Sequence, residues 1–482
     1  MFYHSTRNAE ATVDSARAVL EGLAPDGGLY MPEAIPCFDW RKCLEGDSQE
    51  MATMILSALL PDIPDMKALV SRAYTGKFQT EDLTPTVKVG GFTVLELFRG
   101  PTSAFKDVAL SMLPQLLTTA KDVCGQEREI MILTATSGDT GKAALAGFRD
   151  VPGVRITVFY PDGGVSAVQR AQMVTQEGNN VTVCAVRGNF DDAQTGVKNI
   201  FAACQGQTPN YSLSSANSIN IGRLAPQVMY YFKAYRDLMD RGEIQLGDQV
   251  NYAVPTGNFG DILAGYLAKL LGLPVGMLIC APNANNVLTD FITTGTYDKR
   301  RPLHKTTSPS MDILVSSNLE RLLYLMSGCD TELVAGLMND LNTQGCYSVP
   351  ECMLQAIRKE FWAGCCGDEG AREIIGKVWK EHNYLCDPHT ATGWAAAEEY
   401  IRQTGDQHAM VVLSTASPYK FPAAVLEAIG GDLSGDEFAQ MERLEAITAV
   451  PTPANLAGLQ GKTELHPGVI DKDKMLQFVL SL

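Results

Sequence analysis

Short runs of apolar, β-branched residues alternate with stretches of helical periodicity along much of the chain. EIMILTAT leads into the helical pattern KAALAGF, VRITVFYP into VSAVQRAQMVTQEG, and NNVTVCAVRG into DDAQTGVKNIFAAC. Further on, QVNYAVPTG precedes DILAGYLAKLLGL, PVGMLICAPN follows it, and HAMVVLST comes near the end. These runs are apolar on both faces, the pattern of parallel strands covered by helices on either side. The predicted fold class is α/β, with open, mostly parallel sheets and helices on both faces. The opening is different. Helical patterns broken by APDGGLYMPEAIP and LLPDIPD predict a separate, α-rich N-terminal region.

Charge narrows the choice of ligand. The 482 residues carry 39 basic and 55 acidic side chains, a net charge of -16. Such a surface repels nucleic-acid phosphates and anionic membranes, so neither is an expected partner. Small anions still fit, because converging backbone N–H groups outweigh a diffuse charge at close range. No segment approaches the roughly 20 apolar residues of a membrane helix, and the first residues lack the apolar core of a signal peptide. Twelve scattered cysteines and six histidines show no metal-ligand spacing. They read as thiols of a reducing cytoplasm.

Four stretches carry candidate chemistry. TATSGDTGKAALAG, residues 134–147, is a glycine-rich turn between strand and helix, a place for an anion. It departs from the nucleotide-binding P-loop at Thr136 and at Ala143, where a glycine and a hydroxyl would stand. VPTGNFGD, residues 254–261, is a second such loop. Each alone is equally compatible with an ordinary strand–helix turn. In LFRGPTSAFKDVAL, Lys106 follows an aromatic residue near a helix start. Desolvation and the helix dipole both lower a lysine pKa there, although an ordinary surface lysine fits the stretch by itself. SSANSINIGRLAPQ, residues 214–227, concentrates Asn217, Arg223 and several hydroxyls, a density that suits phosphate or carboxylate. His389, in DPHTATGWAA, reads as a structural group at a helix start. A reactive lysine with two anion cradles is the combination that pyridoxal phosphate and an amino-acid substrate require.

The same motifs, in order and nearly end to end, resemble threonine synthase, a fold-type II pyridoxal-phosphate enzyme family. LFRGPTSAFKD is similar to its lysine motif, TATSGDTGKAALAGF to its substrate loop, and VPTGNFGDILAGYLAKLLGLP to its phosphate cradle. GNFDDAQ, SSANSINIGRLAPQ, TTSPSMDILVSSNLERLLY and DPHTATGWAA follow its pattern as well. The resemblance implies that Lys106 binds the cofactor covalently and shuttles protons. It implies that Gly257, Asn258, Phe259, Gly260 and Asp261 hold the cofactor phosphate and that Thr415 faces the pyridine nitrogen. Ser137, Asp139 and Thr140 would meet the substrate carboxylate and the ring region, with Asn217 and Arg223 at the substrate phosphate. No metal is implied. The expected domains are an N-terminal region at 1–86, a large cofactor-binding domain at 87–125 and 231–482, and a small substrate-loop domain at 126–230.

The implied activity is a lyase reaction converting O-phospho-L-homoserine and water to L-threonine and phosphate, the last step of threonine biosynthesis. A monomer or a homodimer in the cytoplasm is expected. The alternative within the fold is a phospho-lyase that releases a 2-oxo acid, ammonia and phosphate. A catalytically dead homologue is opposed by the retention of Lys106 and both loops. Three positions depart from the family pattern: Ser417 and Arg99 stand where histidine is usual, and Asn8 where glycine is common.

Overall fold

The structure is a computed structural model that describes residues 1–136, 138–204, 208 and 210–482, apart from the side chain of Asp191. Two sheets organise it. The larger has six strands in the order Phe361–Ala363, Val275–Ala281, Val250–Pro255, Ala409–Ser414, Phe92–Glu96 and Thr86–Val89. All neighbours are parallel except the last pair, which forms an antiparallel edge. The smaller has five strands, all parallel, in the order Val469–Asp471, Val181–Arg187, Val154–Pro161, Glu129–Ala135 and Tyr211–Ser214.

Both sheets are buried on both faces, as their unbroken apolar runs require. Successive side chains of a strand point to opposite sides. In the larger sheet Tyr252, Val254, Leu278, Cys280, Val411 and Leu413 face one core, while Ala253, Ile279 and Val412 face another. In the smaller sheet Ile130, Ile132 and Val183 join the first core, whereas Met131, Leu133 and Cys184 face a third. The first core is therefore shared by the two sheets. The helix Lys106–Val123 runs through it and buries every residue of its first half, Lys106 to Pro114.

Two elements escape the sequence pattern. The N-terminal region has the expected helices Ser15–Glu21, Ser48–Leu59 and Met66–Tyr74, but it opens with a three-stranded antiparallel sheet of Asn8–Asp14, Phe2–Ser5 and Tyr30–Pro32. Its strands are short and mixed in polarity, so they carry weak periodicity. The strand Val469–Asp471 pairs with Val181–Arg187, so the chain's end, read with the larger sheet from the sequence, lies on the smaller one. Three partly exposed residues at a sheet edge give no pattern to read.

Candidate active site

The site forms where the carboxyl ends of several parallel strands converge, the usual place for a ligand in open α/β sheets. The strand Phe92–Glu96 leads to residues 97–105 and then to Lys106, the first residue of its helix. The strand Ala409–Ser414 ends alongside: Phe105 N donates to the Thr415 carbonyl at 2.8 Å, and Ser417 N to the Ser103 carbonyl at 3.1 Å. These bonds fix the lysine's backbone against Thr415, which is itself buried.

Lys106 is 9% exposed, and its Nζ lies 4.6 Å above the Phe105 ring. It donates to Ser310 Oγ at 3.3 Å and sits 4.0 Å from Asp139. Burial pulls its pKa down to about 8; Lys420 and Arg223 push the same way, against Asp139 and Asp107. A neutral, nucleophilic amine is thus within reach near physiological pH.

Asp139 opens the helix Asp139–Phe148 and is wholly engaged. One oxygen takes the Lys420 ammonium at 2.6 Å and Gln169 Nε2 at 3.0 Å; the other faces Lys106. Burial raises its pKa, but the two lysines outweigh that and hold it well below the usual carboxylate range. The loop before it is tied by Thr136, whose hydroxyl accepts from Gly138 N and Gly141 N at 2.9 Å each. That is why a threonine stands where a P-loop has glycine. Gly138 has φ +141°, and a Cβ there would lie 2.5 Å from Gln169. Thr140 occupies the first turn of the same helix. Ser137, read as a substrate contact, lies outside the described residues.

The second cradle follows the strand Val250–Pro255. Phe259, at φ +61°, turns the chain into the helix Gly260–Leu270. A segment from further along roofs it. Asn318 N and Nδ2 donate to the Asn258 carbonyl at 3.0 and 3.1 Å, and Ser316 Oγ to the Gly257 carbonyl at 2.8 Å. A Cβ on Gly257 would lie 2.8 Å from the Ser310 carbonyl, so only glycine fits. Asp261, in the helix's first turn, accepts from Tyr230 OH at 2.5 Å and Tyr231 OH at 3.0 Å. Burial raises its pKa to about 6.

Arg223 is buried and donates to the Ala216 carbonyl, while its Nε has no partner among the described residues. Burial lowers its pKa to about 10. A guanidinium with no carboxylate partner among the described residues, close enough to depress the Lys106 pKa, is prepared for an anion. Asn217 lies in the same loop, its N–H tied to Ser215 Oγ at 3.2 Å.

Sequence reasoning missed Lys420, Ser310 and the placement of His389. Lys420 is fully buried and also donates to the Thr102 carbonyl at 3.2 Å. Its short turn Pro418–Lys420 is capped by Ser417, whose hydroxyl accepts from Tyr419 N. The serine in place of the family histidine thus has a local task. Ser310 stands in the quoted stretch TTSPSMDILVSSNLERLLY and Lys420 five residues after HAMVVLST, but nothing local marks them as facing Lys106.

Three family descriptions match in order: threonine synthase N terminus over residues 2–74, pyridoxal-phosphate dependent enzyme over 75–335, and threonine synthase C-terminal over 390–464. Threonine synthase of Pseudomonas aeruginosa is 40% identical over 479 residues, 97% of this chain and 98% of its own length. Human threonine synthase-like 1 is 37% identical over 457 residues, which is 90% of this chain but 61% of the human protein. The crystal structure of PLP-bound threonine synthase from Brucella melitensis matches with a TM-score of 0.88 at 38% identity, covering 100% of this chain and 98% of that one.

Proposed function

The chain belongs to the threonine synthase family of pyridoxal-phosphate-dependent enzymes, and from that premise we propose that it converts O-phospho-L-homoserine and water to L-threonine and phosphate. The observation that carries the proposal is the meeting, at one depressed lysine, of two anion cradles and an uncompensated guanidinium.

The residues present fit pyridoxal phosphate. Residues 257–261 form a backbone cradle at a helix N-terminus, too tight at Gly257 for any side chain. Lys106 would supply the amine for its aldehyde, and Thr415 would face its ring nitrogen with a hydroxyl instead of a carboxylate. When bound, the cofactor supplies an electron-withdrawing ring that stabilises negative charge at the substrate's α carbon.

The chain's own groups do the rest. Lys106 Nζ, near 8, takes and returns protons at the substrate's carbon atoms. Lys420 is held by Asp139 and the Thr102 carbonyl and keeps Asp139 charged without competing for the substrate. Asp139 is anionic and occupied, so the substrate carboxylate would meet the backbone at Gly138 and Thr140 and not this side chain. Arg223, with Asn217, would hold the substrate phosphate at the γ carbon. The apolar packing that buries Lys106 and Thr415 excludes bulk water from the bond being broken. Among the described residues no helix is long and apolar enough to cross a membrane. All twelve cysteines are free thiols, which suits a cytoplasmic location.

The test is to add O-phospho-L-homoserine to the protein with pyridoxal phosphate and assay threonine and phosphate together. Equal amounts support the synthase. Phosphate with a 2-oxo acid and ammonia, and no threonine, would replace it with a phospho-lyase. Lys106→Ala is expected to lower kcat by about 10⁴-fold, the upper range for a group that carries protons.

A further inference from the structure

His389 was read from the sequence as structural, yet its ring is connected to Lys106 through one residue. It lies in the first turn of the helix Pro388–Thr404, is 2% exposed, and packs against the Phe421 ring at 5.0 Å. Its Nδ1 is 2.6 Å from Asp387 Oδ2, and its Nε2 faces Ser310 N at 3.3 Å. A carboxylate only accepts, so Nδ1 carries the proton. A backbone N–H only donates, so Nε2 carries none. Both neighbours therefore select the same neutral tautomer.

Ser310 links Lys106 to the second cradle. Its hydroxyl accepts from Lys106 Nζ at 3.3 Å, and its carbonyl closes over Gly257. Its amide is the third attachment point, and His389 holds it. We propose that Asp387 and His389 form a positioning pair. By fixing the tautomer that accepts from the Ser310 amide, they set the Ser310 hydroxyl on the Lys106 amine and the roof over the cofactor cradle. His389 touches neither amine nor ligand; it acts through Ser310. The proposal rests on the reading of Lys106 as the cofactor-binding lysine.

Asp387→Asn tests it. Asp387 Oδ1 accepts from Thr390 N at 3.1 Å and Oδ2 from His389 N at 2.9 Å, so an asparagine that keeps the Thr390 half of this helix cap gives up the His389 half and turns its amide donor toward the ring. The imidazole then protonates at Nε2, which opposes the Ser310 N–H. With six histidines in the chain, 15N-histidine NMR of the cofactor-free protein can read the tautomer directly. The second readout is the rate at which the cofactor's absorbance changes when pyridoxal phosphate is added to that protein.

We expect Nδ1–H in the wild type and Nε2–H in Asp387→Asn, with cofactor capture slowed about tenfold, since small displacements of a reacting group cost this much or more. Adding His389→Gln to Asp387→Asn restores an acceptor toward Ser310 N and is expected to recover most of the rate. A loss of fold alone would not be repaired this way. An Nε2–H wild type overturns the proposal. So does a flipped tautomer with an unchanged rate, or a double variant no faster than Asp387→Asn. A wild-type chain that captures no pyridoxal phosphate overturns the functional reading and this inference with it, whereas failed threonine formation with normal capture touches only the function.

Discussion

The turn around Gly138 and the turn around Phe259 leave parallel strands in the same way, and each opens a helix with an aspartate in its first turn. Their electrostatics are opposite. Asp139 is gripped by Lys420 and Gln169, faces Lys106, and is held ionised. Asp261 meets two phenols, and burial moves it toward neutrality. The first turn is tied by its own Thr136, the second by a roof from residues 310–318. A strand–glycine–helix turn thus sets where an anion could lie. The element packed against it sets the charge. With its pKa raised to about 6, the aspartate beside the second cradle takes up a proton more readily than an ordinary carboxylate and so opposes a bound phosphate less, while the ionised one beside Lys106 controls an amine.

Filling the second cradle is expected to have the largest effect. Gly257→Ala puts a methyl group 2.8 Å from the Ser310 carbonyl. Overpacking of this kind costs about 1–3 kcal/mol. The dissociation constant for pyridoxal phosphate, from absorbance titration, is expected to rise by about 10- to 100-fold. An unchanged constant would show that the roof yields and that the two turns differ less than their geometry says.

The charged turn is tested by a pair of opposite shifts. Lys106 is protonated and unreactive below about 8 and neutral above it. Lys420→Met removes a repelling charge and frees Asp139 to attract Lys106, so the pKa rises. Asp139→Asn removes the attraction, so it falls. Each shift should be about one unit, read as the pH midpoint for labelling Lys106 in the cofactor-free protein with a small imidoester. Shifts in the same direction would contradict the arrangement.

The smallest effect is expected from Thr136→Ala, which strands two backbone N–H groups. It should cost about 1–2 kcal/mol of stability, seen as a modest fall in Tm, with cofactor affinity nearly unchanged. A large loss of cofactor affinity would erase the distinction between the turns.

The parallel strands were legible because burial on both faces leaves an unbroken apolar run, as in EIMIL and VTVCAV. Lys106, Arg223 and the two glycine loops were legible from local composition and from the resemblance. Lys420, Ser310 and His389 were not assigned to the site. Lys420 bonds to Thr102 across 318 residues, and no local pattern encodes that contact. His389 starts a helix, as its sequence context predicts, but its second nitrogen faces the Ser310 amide 79 residues away.

By itself the sequence determined the periodicity, hence the strands and helices, and the short-range chemistry of turns, caps and glycines. Those depend on neighbours along the chain. The tertiary structure alone decided which lysine meets Asp139 at 2.6 Å and which is left near 8. It also decided which of two similar aspartates is held below the usual carboxylate range and which is raised above it. Ionisation depends on burial and on charges brought close in space, and folding sets both.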